Sequence, residues 1–152
     1  SRTSSGRNWL WVIGISKYAH WRPLPNPVTD AKAVRDVLLE QYRFDRKYLI
    51  EMYDKQATRE NIIKKFEQLV RELLPSDNLF IYFAGHGVFD NAIDVGYWIP
   101  SEAAIGSSAV LLALGAPRVL VPLIVIPLCS LNVVGTALFL IYCRKHYPSA
   151  SN

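Results

Sequence analysis

The chain has 152 residues, 51% of them hydrophobic and 20% charged, with a formal charge of +4 at neutral pH, a length that supports one domain with a core of its own. Through Pro117 basic and acidic residues almost balance and interleave, and Arg118, Arg144 and Lys145 supply the rest of the surplus, so the charge reads as a solvated face and excludes a nucleic-acid footprint. Cys129 and Cys143 are the only cysteines; two of them provide neither a disulfide framework nor a metal-ligand spacing, and no metal or cofactor is expected.

Residues 1–8 are small, polar and basic and read as a disordered lead-in without the apolar core of a signal peptide. The sequence starts at Ser1 rather than Met, so its natural start is expected to lie further upstream. Trp9 to Ile15 is a continuous apolar run, the pattern of a strand buried on both faces. Pro23, Pro25 and Pro27 then forbid regular structure and predict an ordered loop at the strand's exit. A helix over about 30–42 follows, capped by Thr29 or Asp30, with Ala31, Val34, Leu38 and Tyr42 on one face.

Tyr48 to Tyr53 is a short second strand, and Thr58 caps a second helix over about 59–74. That helix carries a stripe of Ile62, Ile63, Phe66, Leu69, Val70, Leu73 and Leu74, opposite charged residues facing water. After Pro75-Ser76-Asp77 comes the most informative stretch, Asn78 to Gly87. Five apolar residues, Leu79 to Phe83, lead through Ala84 to His86, which stands between Gly85 and Gly87. A histidine at the carboxyl end of a buried parallel strand lies where open α/β sheets carry their chemistry, and flanking glycines let other backbone or a ligand approach. A core histidine needs no such neighbours. Val88 to Val95 reads as a loop and Gly96 to Pro100 as a short strand. The alternation of strand and helix predicts an α/β sheet with right-handed crossovers, and the proline-rich first loop lacks the glycine-rich signature of a nucleotide phosphate site.

Taken together and in order, several pieces resemble the caspase-like cysteine peptidases, particularly bacterial caspase homologues and metacaspases. They are Trp11-Val12-Ile13-Gly14-Ile15-Ser16-Lys17-Tyr18, Leu24 to Ala31, Ala57 to Ile62, Ala84-Gly85-His86-Gly87 and Gly96 to Pro100, spread over residues 9–104. The resemblance implies a three-layer sandwich of a mostly parallel sheet flanked by helices, incomplete at its C-terminus. It implies that His86 assists proton transfer for a cysteine thiolate that attacks a peptide carbonyl. By the same resemblance the Gly87 N–H is an oxyanion donor, and Asp30 lines a pocket for Arg or Lys before the scissile bond. Asp30 equally fits a helix start with no substrate at all. The expected partner is a protein or peptide substrate, with a homo-oligomer or a missing small-subunit half completing the site.

In the family the nucleophile follows a fourth strand in a segment like Asp-x-Cys-x-Ser-Gly, and this chain departs from that pattern. Residues 105–118 read as a linker or short helix, and 119–143 are 25 residues without a charge, followed by a basic tail over 144–152. Two readings compete. Length and flanking charge fit a transmembrane helix over 119–143, which would make the chain a membrane-anchored, inactive module that acts by binding protein partners. Alternatively Arg118 to Ile126 is the fourth core strand and Cys129, 43 residues after His86, is the nucleophile. The two exclude each other, because a thiol in hydrocarbon cannot become the attacking thiolate. Activity as a cysteine-type endopeptidase and a membrane-associated or cytoplasmic location both turn on that choice.

Overall fold

The computed structural model describes residues 6–90, 95–106, 126–127 and 137–144. Its centre is a five-stranded sheet in the order β2-β1-β3-β7-β6, where β1 is Asn8–Gly14, β2 Leu49–Tyr53, β3 Asn78–Gly85, β6 Ile126–Pro127 and β7 Ala137–Arg144. Strand β1 pairs in parallel with β2 and β3, Leu10 opposite Leu49 and Phe80, and Gly14 opposite Tyr53 and Ala84. A two-stranded antiparallel hairpin, β4 (Gly87–Asp90) with β5 (Val95–Trp98), leaves the sheet at the end of β3.

Continuous apolar runs place β1 and β3 in the middle, because both faces of each are covered. Trp11, Ile13, Leu79, Ile81 and Phe83 pack with Ile62 and Leu69 of helix α2 (Arg59–Glu72). Leu10, Val12, Tyr82 and Ala84 pack on the other face with Ala31, Val34 and Leu38 of helix α1 (Pro27–Gln41). Two helices on opposite faces of the sheet make the expected three layers. Helix α2 begins as the sequence implies, the Thr58 hydroxyl accepting the Asn61 N–H at 3.2 Å.

Helix α1 begins earlier than Thr29 or Asp30. Pro27 is its first residue and Asn26 its N-cap, with the Asp30 N–H donating to the Asn26 carbonyl at 2.9 Å. A proline is welcome there, since its missing N–H would have no helical partner and its φ is already helical. The next N–H, of Val28, is taken by the Ser16 hydroxyl at 3.2 Å. Gly14 allows this start to sit on β1: a Cβ there would lie 2.8 Å from the Pro27 carbonyl oxygen. The stretch from Val88, expected as loop, instead forms β4, because its partner β5 supplies a ladder that local sequence does not disclose.

The C-terminal expectations change most. From inside 119–143 to one residue past it, Ala137–Arg144 is an extended strand paired antiparallel with the whole of β3, Asn78 opposite Arg144 and Gly85 opposite Ala137. A helix over 119–143 is incompatible with that pairing, and among the described residues no helix is long and apolar enough to cross a membrane. An uncharged run of aromatic and aliphatic residues suits a sheet strand as well as a bilayer, and here the position beside β3 takes it. Ile126 of the expected fourth strand lies in β6, opposite Leu140, so the strand next to β3 is β7 rather than 118–126. Residues 107–125, Cys129 and the tail from Lys145 onward lie outside the described residues, as do 1–5 of the expected lead-in. Arg7 and Asn8, placed with that lead-in by composition, are tied in: Asn8 opens β1, and the Arg7 N–H donates to Asp77 Oδ1 at 2.9 Å.

Candidate active site

Strand β3 delivers His86 to its carboxyl end, just where the β1–β3 ladder stops. The last rung is Gly14 opposite Ala84, closed by the Ile15 N–H donating to the Ala84 carbonyl at 2.9 Å. Beyond it the chain leaves β1 as a loop, 16–26, whose ends meet: the Leu24 N–H donates to the Ser16 carbonyl at 2.9 Å. Its stem is gripped by Asp54, whose Oδ1 accepts the N–H groups of Ser16 and Lys17 at 2.8 and 2.9 Å. Asp54 has φ of +46°, the only left-handed non-glycine among the described residues. That conformation is costly for a side chain and here directs the carboxylate at the loop stem. The Ala19 N–H reaches the Ser101 carbonyl at 2.8 Å, tying the loop's middle to the segment after β5.

This loop builds the surroundings of His86. Arg22 places its carbonyl oxygen 2.9 Å from His86 Nε2. A carbonyl only accepts, so Nε2 carries the proton and, in the neutral ring, Nδ1 is the basic nitrogen. Tyr18 lies with its ring centroid 4.8 Å from the imidazole and its hydroxyl 2.7 Å from the His86 backbone nitrogen. Trp21 packs on the ring at 5.3 Å. His86 is 4% exposed. An imidazole held by a carbonyl and two aromatic rings, in a fixed tautomer, is set up to take and return a proton.

Gly87 contributes through its backbone. The Ile99 N–H donates to the His86 carbonyl at 3.0 Å, which makes Gly87 and Trp98 the non-hydrogen-bonded kind of antiparallel pair. The Gly87 N–H therefore faces away from β5. Gly85 has a different reason to be glycine: a Cβ there would fall 2.5 Å from the Tyr18 hydroxyl and 3.1 Å from the Phe83 ring. The flanking glycines expected to admit a ligand thus serve, at position 85, to admit Tyr18.

Asp30 sits exposed in the first turn of α1. Helix α1 covers the face of β3 that carries Tyr82, and burial, with the Asp30 charge, pushes the Tyr82 hydroxyl up to about 12. Cys129 lies outside the described residues. Cys143 is opposite Leu79, at the far end of β3 from His86; the six steps from Leu79 to Gly85 separate the two ends by roughly 20 Å at strand rise, so the register keeps Cys143 away from the imidazole. Tyr18, Trp21, Arg22 and Asp54 were not singled out by sequence reasoning. Tyr18 closes the first stretch that resembles the family, and the loop's aromatics and prolines mark it as more than a plain connection.

The family profile described as Caspase domain matches residues 7–145. Metacaspase-1B of Neurospora crassa is 28% identical over 89 residues, covering 55% of this chain and 21% of that protein. Metacaspase-1A of the same organism is 33% identical over 89 residues, covering 55% and 20%. Metacaspase-1B of Aspergillus terreus is 32% identical over 89 residues, covering 55% and 24%. The matched region thus spans about a fifth to a quarter of these relatives' own lengths.

Proposed function

The chain belongs to the caspase-domain family, and from that premise we propose that it is part of a cysteine-type endopeptidase in which His86 is the general base and acid. The observation that carries this reading is the imidazole at the end of β3, its Nε2 fixed on the Arg22 carbonyl, which makes Nδ1 the basic nitrogen of the neutral ring.

In the proposed reaction a cysteine thiolate attacks the carbonyl carbon of a peptide bond, and the carbonyl π pair moves onto oxygen. The Gly87 N–H, facing away from the hairpin, donates to that oxyanion. His86, protonated on taking the thiol's hydrogen, returns it to the leaving amine as the C–N bond breaks, and a thioester remains. Water, deprotonated by the same imidazole, then cleaves the thioester and restores the thiol. Cys129 is the proposed nucleophile, since it follows His86 by the right stretch of chain and Cys143 is held at the wrong end of β3. Asp30 is proposed to favour Arg or Lys before the scissile bond through a charge-assisted contact.

The test is turnover of reporter peptides carrying Arg, Lys or Asp before the reporter group, by the full chain beside His86→Ala and Cys129→Ala. Cleavage after Arg or Lys that both substitutions abolish is the expected result. Turnover that survives either one sinks the assignment of that residue.

A further inference from the structure

We propose that Tyr18 is a positioning residue for His86, its hydroxyl taking over the hydrogen-bonding place that β1 vacates. The role in catalysis rests on the peptidase reading above; the hydrogen bond and its effect on His86 do not.

Along β3 the residues Asn78 to Ala84 are in register with β1, and the ladder then ends. The His86 N–H would face the gap left by the departing chain. Tyr18, four residues past Gly14, reaches back across that gap, and its hydroxyl accepts the His86 N–H at 2.7 Å. Its ring continues over the imidazole at 4.8 Å, so one side chain fixes both the backbone and the ring of the same histidine. The hydroxyl does not find its place by chance. Asp54 clamps Ser16 and Lys17, Ser101 holds Ala19, and Leu24 closes the loop on Ser16. Burial in turn pushes the Tyr18 phenol up, so it stays neutral and able to accept across the working range. Gly85 supplies the independent sign of a fitted contact, since any larger residue there would put its Cβ 2.5 Å from that hydroxyl.

Fixing the His86 amide plane fixes two things that the proposed chemistry uses together. It aims the imidazole so that Nε2 meets the Arg22 carbonyl, and it sets the following peptide so that the Gly87 N–H points off the hairpin. A phenol at this spot therefore couples base and oxyanion donor.

Tyr18→Phe removes the hydroxyl and keeps the ring. In the full chain, amide hydrogen exchange of His86 should speed up about tenfold or more while Ile13 and Phe83 in the strand ladder change little, as expected for a partly buried N–H left without its acceptor. Modification of His86 by diethyl pyrocarbonate, read by peptide mass, should rise with it. Against a cleaved reporter peptide, kcat should fall about tenfold with KM within twofold, since the variant disturbs the reacting groups and not the substrate pocket. Gly85→Ala should be damaging alone and partly rescued by Tyr18→Phe, because the colliding oxygen is then gone. His86 exchange within twofold of the parent in Tyr18→Phe, or no rescue in the double variant, would overturn the proposal. A parent chain that cleaves nothing would count against the peptidase reading alone, because exchange, modification and rescue of folding still decide the placement of Tyr18.

Discussion

Asp77→Asn should destabilise the fold by about 2 to 3 kcal/mol at pH 7, with an effect that disappears in acid. Asp77 closes the turn between α2 and β3, and its side chain is 1% exposed. Its Oδ2 accepts the Leu74 N–H and the Arg7 Nε–H, each at 2.9 Å, while Oδ1 accepts the Arg7 backbone N–H. The Arg7 guanidinium also lies over the rings of Trp9 and Tyr48, 5.3 and 5.5 Å from their centroids. Burial alone would raise the carboxyl, but the Arg7 bond and the two backbone N–H donors outweigh it and hold the group at about 2, against an ordinary value of 3.8. At about 1.4 kcal/mol per pH unit that difference corresponds to about 2 to 3 kcal/mol. A carboxyl depressed in the folded state stabilises fully above its unfolded value and loses that contribution as pH falls toward the folded one. The window runs from about pH 5 down to about pH 2. Urea denaturation followed by tryptophan fluorescence, on the parent and Asp77→Asn at pH 7, 4 and 2.5, measures it. A gap that stays constant across those pH values, or one below about 0.5 kcal/mol at pH 7, would refute the reasoning.

Trp98→Ala should cost about 3–5 kcal/mol in the same denaturation assay, because Trp98 is buried and stacks on Phe83 with centroids 4.4 Å apart and planes 3° from parallel. Asp54→Ala should lose about 2 kcal/mol by removing the acceptor of two loop N–H groups from a left-handed position. Asp54→Asn, which tolerates that φ and keeps an oxygen, should lose less than half as much; equal losses would show that the loop stem does not depend on this carboxylate. Asp30→Asn should lower cleavage after Arg or Lys relative to other residues about tenfold if Asp30 faces the substrate, with folding stability changed by no more than about 0.5 kcal/mol; an unchanged preference removes it from the proposed pocket.

What could be read from sequence follows from how local each cause is. The strands β1 and β3 were legible because a buried central strand is apolar at every position, as Trp9 to Ile15 and Leu79 to Phe83 are. The start of α2 was legible because Thr58 caps it through its own side chain. The cap of α1 lies three or four residues before the expected one because prolines signal a break without saying whether they precede a helix or begin it. Strand β4 was missed because its reason to exist is β5. The stretch 119–143 misled for a related cause: without charges, length favours a membrane helix, yet Ala137–Arg144 finds its partner in β3, far away in the chain. At the site, His86 and Gly87 stood out by residue type and position. Arg22 acts through a carbonyl, which leaves no mark in residue identity, and Tyr18 through a hydroxyl whose partner is a backbone nitrogen far along the chain, which local pattern does not disclose.

The two-faced covering of β3 has a consequence for how this chain can vary. Leu79, Ile81 and Phe83 belong to one core and Phe80, Tyr82 and Ala84 to the other. Inserting or deleting a single residue between Asn78 and Ala84 would send each to the opposite helix and rotate everything downstream by half a turn about the strand. Phe83 would leave Trp98, and the imidazole of His86 would emerge on the wrong side of the sheet, away from Arg22. Substitutions in this strand trade volume for volume and can be absorbed gradually, whereas a change of length cannot be made by halves. The distance in residues from Asn78 to His86 is therefore expected to be fixed among working relatives, even where most of the side chains in between have been exchanged.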